Sequence, residues 1–588
     1  METAAAVAAV KATQVPLSLL TLLQLTGPLW PKNAKVQNCS AFDYIIIGGG
    51  TAGSVLANRL TEDEKTTVLV IEAGGNPNVE ALLAGLFVAQ PQTSRDWNYT
   101  STYDNYAARA TNNRTTLTSG KMLGGSSSLN HFIIQRGVAE DYNYWAEITN
   151  ESWNYENVLP YFIKSERVED EEILEFDGEF HGVEGPVGLT REPREETKEY
   201  LDALNELGYD IFPDLIGREN LGYAECLFTI ADGVRQSTAY SYLRPIRKRK
   251  NLYVLKFTLA TKIIFYGKTA CAVETQDKFG KTKVYRARKE VIVSAGVFNT
   301  PQILMLSGIG HKEHLESMGI CVRADLPVGD NLQDHLGSIV VFKMQKSIAI
   351  PPVRPLTELA VPLVTGLVSL NKSSNIPDYQ NFFSVLPHDT PFILLFCGFV
   401  FAYRNDICDR YKKESIGRDI MFNLVALLQP SSTGTVRLAS LDPTVPPEIT
   451  TGFYTNKTDI TKMAKYIRDL IRIQNSSYFQ SVNAELIDPK LPCNNFKYGS
   501  QKYWECYALN SATSLYHQTS SCPMGSVVDG DLKVYGFKRL RIVDASVMPK
   551  IPRGNPEAAV LMIAEKAADM IKADAESLGD SKCCACAG

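Results

Sequence analysis

The apolar positions near the start of the chain predict a buried strand followed by a glycine turn and a helix. Residues 42–47 read FDYIII, a mostly apolar run that is typical of a strand buried in a parallel sheet. Similar strand-like runs cover 68–71, 252–255, 262–265 and 290–294. Because these runs alternate with glycine turns, they predict a single α/β nucleotide-binding sheet.

The turn after the first strand has the spacing G-x-G-x-x-G. Gly48 permits the tight turn, Gly50 lets backbone approach a pyrophosphate, and Gly53 lets the following helix pack closely. Thr51 and Ala52 belong to the same turn, where the N-terminal amides of the helix would face phosphate groups.

An acidic residue, Glu72, ends the second strand, at the place where an acid accepts hydrogen bonds from a ribose diol. Strand, glycines, helix, strand and acid occur together in register. This context separates the motif from an ordinary glycine turn, and it predicts a dinucleotide site.

The remaining patterns predict discontinuous domains. Mixed strands and loops between 336 and 515 predict a second, sheet-bearing domain that could roof a cofactor. Residues 556–573 open with Pro and carry apolar residues at helical spacing, which predicts a C-terminal helix. The predicted division is a leader over 1–40, nucleotide-binding segments 41–150, 226–335 and 516–575, a cap segment 151–225, a second domain 336–515 and a disordered tail 576–588.

Composition narrows the functional classes. The chain has 588 residues, of which 45% are hydrophobic, so it can bury a large core in two or more domains. Its net charge is only −5 and it has no long basic run, so nothing favours a nucleic-acid partner.

The leader contains an apolar stretch over 15–25 that is too short to span a bilayer comfortably and resembles the core of a signal peptide. Glu2 weakens this reading, and the alternative is a retained anchor or amphipathic arm. We expect a secreted glycoprotein without a transmembrane span. Seven N-x-S/T sequons suit a secretory route without proving it: Asn38, Asn98, Asn113, Asn150, Asn371, Asn456 and Asn475.

Twelve cysteines in a chain of this length do not form a disulfide scaffold. Cys493 and Cys506 bracket a short loop, where a disulfide and two free thiols are both compatible with the spacing. Three cysteines crowd 583–586, but Ala585 stands fourth from the end, so prenylation does not fit. They lack histidine and a second ligand set, and we predict no metal site.

Three further segments are more specific: 120–130 (GKMLGGSSSLN), 294–310 (SAGVFNTPQILMLSGIG) and 327–335 (PVGDNLQDH). Together with the glycine motif they resemble the glucose-methanol-choline (GMC) oxidoreductase family, with the likeness running over 42–573. The leader, the residues at 503–506 and the C-terminal sequence look most like the insect branch of that family.

The resemblance implies FAD, held across a split Rossmann-like domain, with a largely antiparallel sheet over the substrate side. Gly124, Gly125 and Ser126 supply amides and a hydroxyl for the flavin or its phosphates, and Asn130 supplies an amide near the ring. Some family members tether the flavin through a histidine where this chain has Leu129, so we expect non-covalent FAD. The expected FAD contacts also include Ala260, Asp544 and Ala545.

Residues 516–525 resemble the catalytic-histidine segment of the family, which makes His517 the proton-transfer candidate, since imidazole titrates near pH ~6.5. In the family a second His or Asn faces it. Counting from Met548 and back from Glu565 places Glu557 there, with Asn555 two residues earlier. An ionised Glu557 would favour imidazolium, or would itself be the base, or would turn away and leave His517 alone.

The resemblance implies oxidation of an alcohol to a carbonyl, with oxygen or a quinone as acceptor. Sugars, choline, aromatic and aliphatic alcohols and ecdysteroids are the substrates found in the family. An aromatic cluster mildly favours an apolar substrate, although such residues more often form core: Phe392, Phe396, Phe399, Phe401 and Tyr403. The alternatives are a lyase that keeps FAD and a catalytically silent flavoprotein, both suggested by Glu557.

Overall fold

The computed structural model describes residues 2–22, 27–345, 354–388 and 390–577. Two seven-stranded sheets dominate the fold. The first combines parallel strands, which are buried on both faces, with an antiparallel edge. Its order is Leu252–Leu255, Val68–Ile71, Ala41–Ile47, Thr282–Val293, Thr269–Asp277 and Thr258–Tyr266, and Leu540–Ile542 also pairs with Thr282–Val293.

The second sheet is antiparallel throughout. Its order is Glu485–Leu486, Leu336–Met344, Asp419–Leu427, Tyr379–Leu386, Val364–Val368 and Gly222–Glu225, and Thr513–Ser514 also pairs with Leu336–Met344. Each large sheet carries most of one of the two main hydrophobic cores. The predicted α/β fold with an antiparallel sheet in the second domain is therefore confirmed.

Helices cover both sheets, and short strand pairs complete the connections. The longer helices are Glu2–Leu22, Thr51–Leu60, Ala139–Ile148, Tyr155–Ser165, Glu195–Glu206, Gly296–Leu306, Asn405–Glu414, Lys457–Leu470, Gln501–Ser511 and Glu557–Ser577. The shorter ones are Val79–Leu82, Glu171–Asp177, Lys312–Ser317, Phe392–Leu394 and Ser477–Ser481. The minor sheets join Glu166–Val168, Val187–Arg191 and Leu227–Phe228, then Tyr99–Thr100 and Thr116–Leu117, Ile230–Ala231 and Val234–Arg235, and Thr435–Arg437 and Glu448–Thr450.

A buried ion pair joins the first and last segments of the nucleotide-binding domain. Arg59 donates from Nε to Glu565 Oε2 at 2.8 Å and from Nη2 to Glu565 Oε1 at 2.8 Å, and the hydroxyl of Tyr242 also donates to Glu565 Oε1 at 2.8 Å. Because the carboxylate has no exposed surface, its partners must satisfy it. The contact fixes the C-terminal helix, whose first turn reaches the candidate site.

The folded body begins earlier than the predicted leader boundary at residue 40. Trp30 is 2% exposed within the first core, and the amide of Ala34 donates to the carbonyl of Val254 at 2.8 Å. Further upstream, the hydroxyl of Thr3 donates to Asp409 at 2.5 Å. Among the described residues, no helix is long and apolar enough to cross a membrane. Most of the predicted tail, 578–588, lies outside the described residues, and 576–577 are helical.

Of the two alternatives left open for Cys493 and Cys506, the structure shows the disulfide. A second disulfide, Cys397–Cys408, was not predicted. It joins the π-helical turn Leu395–Val400 to the helix Asn405–Glu414.

Candidate active site

A cavity of about 370 Å³ runs from the glycine turn of the first sheet to the inner face of the second. Eleven of the predicted cofactor residues line it: Gly48, Gly50, Thr51, Ala52, Glu72, Gly125, Ser126, Asn130, Ala260, Asp544 and Ala545. The other two, Gly53 and Gly124, do not line the cavity. A Cβ on Gly53 would come within 2.0 Å of the carbonyl oxygen of Gly48, so glycine is needed for the close helix packing.

Glu72 holds the shape of the glycine turn. Its Oε2 accepts from the amide of Gly49 at 2.8 Å, and its Oε1 accepts from the amide of Gly74 at 2.7 Å. Burial raises the pKa of this carboxyl, and the two amides act in the opposite direction. Each carboxylate oxygen keeps a second lone pair, which leaves Glu72 able to accept from a diol as predicted.

Asp544 fixes the opposite wall. It accepts from the amide of Gly296 at 2.9 Å, from the hydroxyl of Thr300 at 2.6 Å and from the amide of Ser546 at 2.8 Å. These bonds hold the start of the helix Gly296–Leu306 beside Ala545. Asp544 therefore shapes the cavity wall that it lines.

At the far end of the cavity, His517 lies between two polar side chains. Its Nδ1 is 2.9 Å from Nδ1 of His335, and its Nε2 is 3.0 Å from Nδ2 of Asn555. Its backbone amide donates to Asp334 at 3.0 Å, which fixes the residue from behind. His517 is 8% exposed and lines the cavity.

Both imidazoles are neutral, so each carries one hydrogen. A hydrogen bond between the two Nδ1 atoms therefore requires that one Nδ1 carries its hydrogen and the other accepts it. Burial lowers the pKa of His335 to about 3, and burial together with the neighbouring histidines lowers the pKa of His517 well below 6.5. The backbone carbonyls of Leu428 and Pro552 act in the opposite direction on the pKa of His335, and its Nε2 has no hydrogen-bond partner among the described residues. Because Nδ2 of Asn555 can only donate, His517 Nε2 accepts from it, so the hydrogen of neutral His517 is on Nδ1 and His335 Nδ1 accepts it.

The structure corrects the predicted partner of His517. Asn555 makes the contact, and Glu557, which the residue count favoured, is turned toward Asn130. The helix begins at Glu557, so Asn555 lies in the connection before it. A Cβ at Gly554, where φ is +151°, would come 2.7 Å from Cβ of Gln135, so this connection requires glycine.

Glu557 belongs to a different hydrogen-bond network, which includes Asn130 and the buried Arg235. Asn130 Nδ2 donates to Glu557 Oε2 at 2.5 Å, and Arg235 Nη1 donates to Asn130 Oδ1 at 2.6 Å. Burial raises the pKa of Glu557 to about 7 and lowers that of Arg235 to about 9. Arg235 was missed because no sequence signal marks it. His335 was also missed, although it ends the motif at 327–335.

Sequence comparison decides the family. Residues 42–337 and 430–564 match the two domains described as GMC oxidoreductase. The chain belongs to this family. It is 38% identical to an ecdysone oxidase of Bombyx mori over 569 residues, covering 93% of this chain and 84% of the relative. It is 34% identical to a glucose dehydrogenase [FAD, quinone] of Drosophila melanogaster, covering 90% and 87%.

Comparison with solved structures supports the same family assignment. A variant of the Aspergillus oryzae formate oxidase superposes with a TM-score of 0.79 at 26% identity, covering 92% of this chain and all of that chain. This GMC protein is thus an FAD-dependent oxidoreductase acting on CH–OH groups, as predicted. The comparisons give no support to the lyase or silent-flavoprotein alternatives, and Asn555 removes the observation that suggested them.

The residues of the GMC chain fit FAD. Two buried polar atoms on the cavity wall, the hydroxyl of Ser294 and Oδ1 of Asn555, have no partner among the described residues. Such atoms require a ligand or water partner. A Cβ at Gly50 would meet no heavy atom closer than 3.8 Å, so this glycine faces open space where a pyrophosphate would approach.

The substrate end of the GMC cavity is apolar. Its wall includes Phe87, Leu359, Phe382, Phe396, Phe401, Phe422 and Leu424. Two hydroxyls in the same wall are already bonded, since Ser384 donates to the carbonyl of Pro362 at 2.6 Å and Tyr516 donates to the carbonyl of Val400. Of the five aromatics singled out in the sequence, Phe396 and Phe401 line the cavity and the others pack away from it.

Proposed function

We propose that this protein oxidises a bulky, apolar ring alcohol of steroid type, with His517 as the base that takes the hydroxyl proton. The observation that carries the substrate class is the aromatic wall, in which the hydroxyls of Ser384 and Tyr516 already donate to backbone carbonyls. A sugar would leave most of its hydroxyls unpaired against such a wall, at a cost of about 1–3 kcal/mol each. The name of the Bombyx mori relative supports the same class.

The polar side chains at the end of the cavity supply the proton chemistry. FAD, when bound, accepts the hydride from the carbinol carbon. His517 Nε2 has a lone pair for the hydroxyl proton, and its tautomer is fixed by His335. The amide of Asn555 lies 3.0 Å from Nε2 and can donate to the alcohol oxygen, which orients the hydroxyl toward the base. Loss of one proton and one hydride leaves the carbonyl product.

FAD is proposed to be non-covalent. Leu129, at the position of the family's tethering histidine, lines the cavity and has no nucleophilic atom. Acid precipitation should therefore release the whole flavin into the supernatant. Flavin that stays with the precipitate would contradict this part of the proposal.

The electron acceptor is proposed to be oxygen or a quinone, the two acceptors implied by the names of the relatives. Hydrogen peroxide formation in air identifies an oxidase. Turnover that requires an added quinone identifies a dehydrogenase.

The protein is also proposed to be a secreted glycoprotein. The disulfides Cys397–Cys408 and Cys493–Cys506 suit an oxidising compartment. Six of the seven sequon asparagines are exposed, namely all but Asn113. Expression in insect cells tests the proposal: we expect the protein in the medium, with a mass that falls after enzymatic deglycosylation.

Anaerobic reduction tests the activity. Purified protein is mixed without oxygen with an ecdysteroid, glucose, a benzylic alcohol or an aliphatic alcohol, and the oxidised flavin band is followed. We expect fast bleaching by the steroid and slow bleaching by glucose. Equal bleaching by glucose overturns the substrate class, and a bound flavin that no alcohol reduces overturns the role of His517.

A further inference from the structure

Glu72, Asp544 and Glu557 line the cavity; the first two shape its wall at the glycine turn and at Gly296, whereas Glu557 has no role in the proposed proton transfer. Glu557 lines the same cavity as His517 but makes its short hydrogen bond to Asn130. Asn130 is held from the other side by Arg235, which has no exposed surface. The three side chains form a chain of carboxyl, amide and guanidinium that runs from the half-buried Glu557 at the cavity to the buried Arg235.

The order of hydrogen bonds fixes the amide between the two ionisable groups. Asn130 Oδ1 accepts from Arg235 and Asn130 Nδ2 donates to Glu557. The amide oxygen and the amide nitrogen therefore cannot exchange positions, because the nitrogen cannot accept from Arg235. Arg235 also donates from Nε to the carbonyl of Ala81 at 2.7 Å, and its guanidinium lies 3.7 Å from the ring centroid of Phe132. The guanidinium is therefore held in place and cannot move to neutralise Glu557 directly.

Few charged groups surround the carboxyl of Glu557. Arg235 is the charged group that acts on Glu557, and His131 and His517 are titratable groups that line the same cavity. Burial lowers the pKa of His131 to about 4 and that of His517 well below 6.5, so both are neutral near pH 7. Burial raises the pKa of Glu557 to about 7, which leaves it able to gain or lose a proton in the working range.

We propose that Glu557 is a redox-tuning group that takes up a proton when the bound FAD is reduced. A hydride brings two electrons and one proton, so it adds one negative charge to the cavity. An ionised carboxylate in the same low-dielectric cavity is repelled by that charge, and a proton from water relieves the repulsion. The inference rests on FAD binding, which it shares with the proposed function, but it does not require that any alcohol is oxidised.

The midpoint potential of the bound FAD, measured from pH 5.5 to 9 with a chemical reductant, tests the proposal. Wild-type protein should show a segment that is steeper by about 30 mV per pH unit, because one extra proton changes a two-electron equilibrium tenfold per pH unit and tenfold corresponds to 29.6 mV. Glu557→Gln should lack this segment. Asp569→Asn, on the same helix with a carboxylate that is 44% exposed, is the control and should keep it.

A second readout is the number of protons taken up on reduction. Photoreduction in weakly buffered solution near pH 7, with an indicator dye, should consume more protons per flavin in the wild type than in Glu557→Gln. A constant slope across the pH range in wild-type protein overturns the proposal without any variant. A protein that holds no FAD overturns the proposed function instead, so the two failures are distinguishable.

Discussion

His335 and His517 face each other through their Nδ1 atoms at 2.9 Å, with ring planes at 88°. Because His335 accepts this hydrogen bond, it holds the proton of His517 on Nδ1, so Nε2 carries no hydrogen and can act as a base. His335→Leu should remove the acceptor and leave a buried N–H unpaired. A cost of about 1–3 kcal/mol corresponds to a fall of about 5- to 150-fold in kcat.

Rescue separates this positioning role from a general structural one. His335→Asn places an amide oxygen where Nδ1 stood and should restore most of the rate, while His335→Leu should not. Both variants should retain the flavin spectrum, since His335 does not line the cavity. Equal rates for the two variants would contradict the role assigned to His335.

The pH dependence of alcohol oxidation should be flat from about pH 6 to 8. The pKa of His517 is lowered well below 6.5 by burial and by the neighbouring histidines, so the free base persists until the solution is distinctly acidic. His517→Ala should lower kcat by about 10²–10⁴-fold, the range for loss of a general base, without loss of FAD. Steady-state rates across the pH range measure both effects.

Asn555→Asp tests the contact between Asn555 and His517. A carboxylate about 3 Å from Nε2 would raise the pKa of His517 by stabilising imidazolium, and since only the free base reacts, the acid limb of kcat/KM should move to higher pH. An unmoved acid limb would show that Asn555 does not contact the base during turnover.

The strands of the first sheet could be predicted closely from the sequence. The runs at 42–47 and 68–71 correspond to Ala41–Ile47 and Val68–Ile71. Both strands are buried on two faces, and this leaves an almost unbroken apolar signal with little ambiguity. The packing of residues 27–40 on this sheet could not be predicted, because a loop lacks such periodicity.

The direction of side chains at the site could not be predicted. Counting places Glu557 at the position that faces His517, but the backbone at Gly554 decides that Asn555 makes that contact. Likewise, the motif at 327–335 contains His335 without indicating which face it presents. These relationships depend on loops that bring distant segments together, and no local pattern encodes them.

Cofactor affinity should depend on Glu72. Glu72→Gln keeps the size of the side chain but puts an amide NH₂ against one of the two backbone amides that now donate to it, Gly49 or Gly74. Loss of a hydrogen bond to a charged group costs about 1.5–3 kcal/mol, which corresponds to about 10- to 150-fold weaker FAD binding. Fluorescence titration of the apoprotein with FAD measures the change.

A surface carboxyl supplies the control for this titration. Glu62→Gln alters a side chain that is 41% exposed and pairs with Arg59 and Lys572. It should leave FAD affinity within a factor of two or so, since surface ion pairs are worth about 0–1 kcal/mol. Similar losses in both variants would mean that Glu72 has no special role at the glycine turn.

The Cys397–Cys408 disulfide should determine how well the protein accepts bulky alcohols. Cys397 lies within the turn Leu395–Val400, and its neighbours Phe396 and Phe401 line the cavity. Without the disulfide, substrate binding must order these two rings, at about 0.5–1.5 kcal/mol each. For Cys397→Ala/Cys408→Ala we therefore expect KM for a steroid alcohol to rise about 5- to 150-fold.

The Cys493–Cys506 disulfide provides a matched control. Cys493 and Cys506 are also bonded in the same domain, but neither residue lines the cavity. Cys493→Ala/Cys506→Ala should lower thermal stability, as loss of any such disulfide does, and leave the ratio of KM values for steroid and small alcohols unchanged. If both double variants shift that ratio equally, the effect is a general loosening of the domain. A shift confined to the first variant shows that the covalent link shapes the substrate wall.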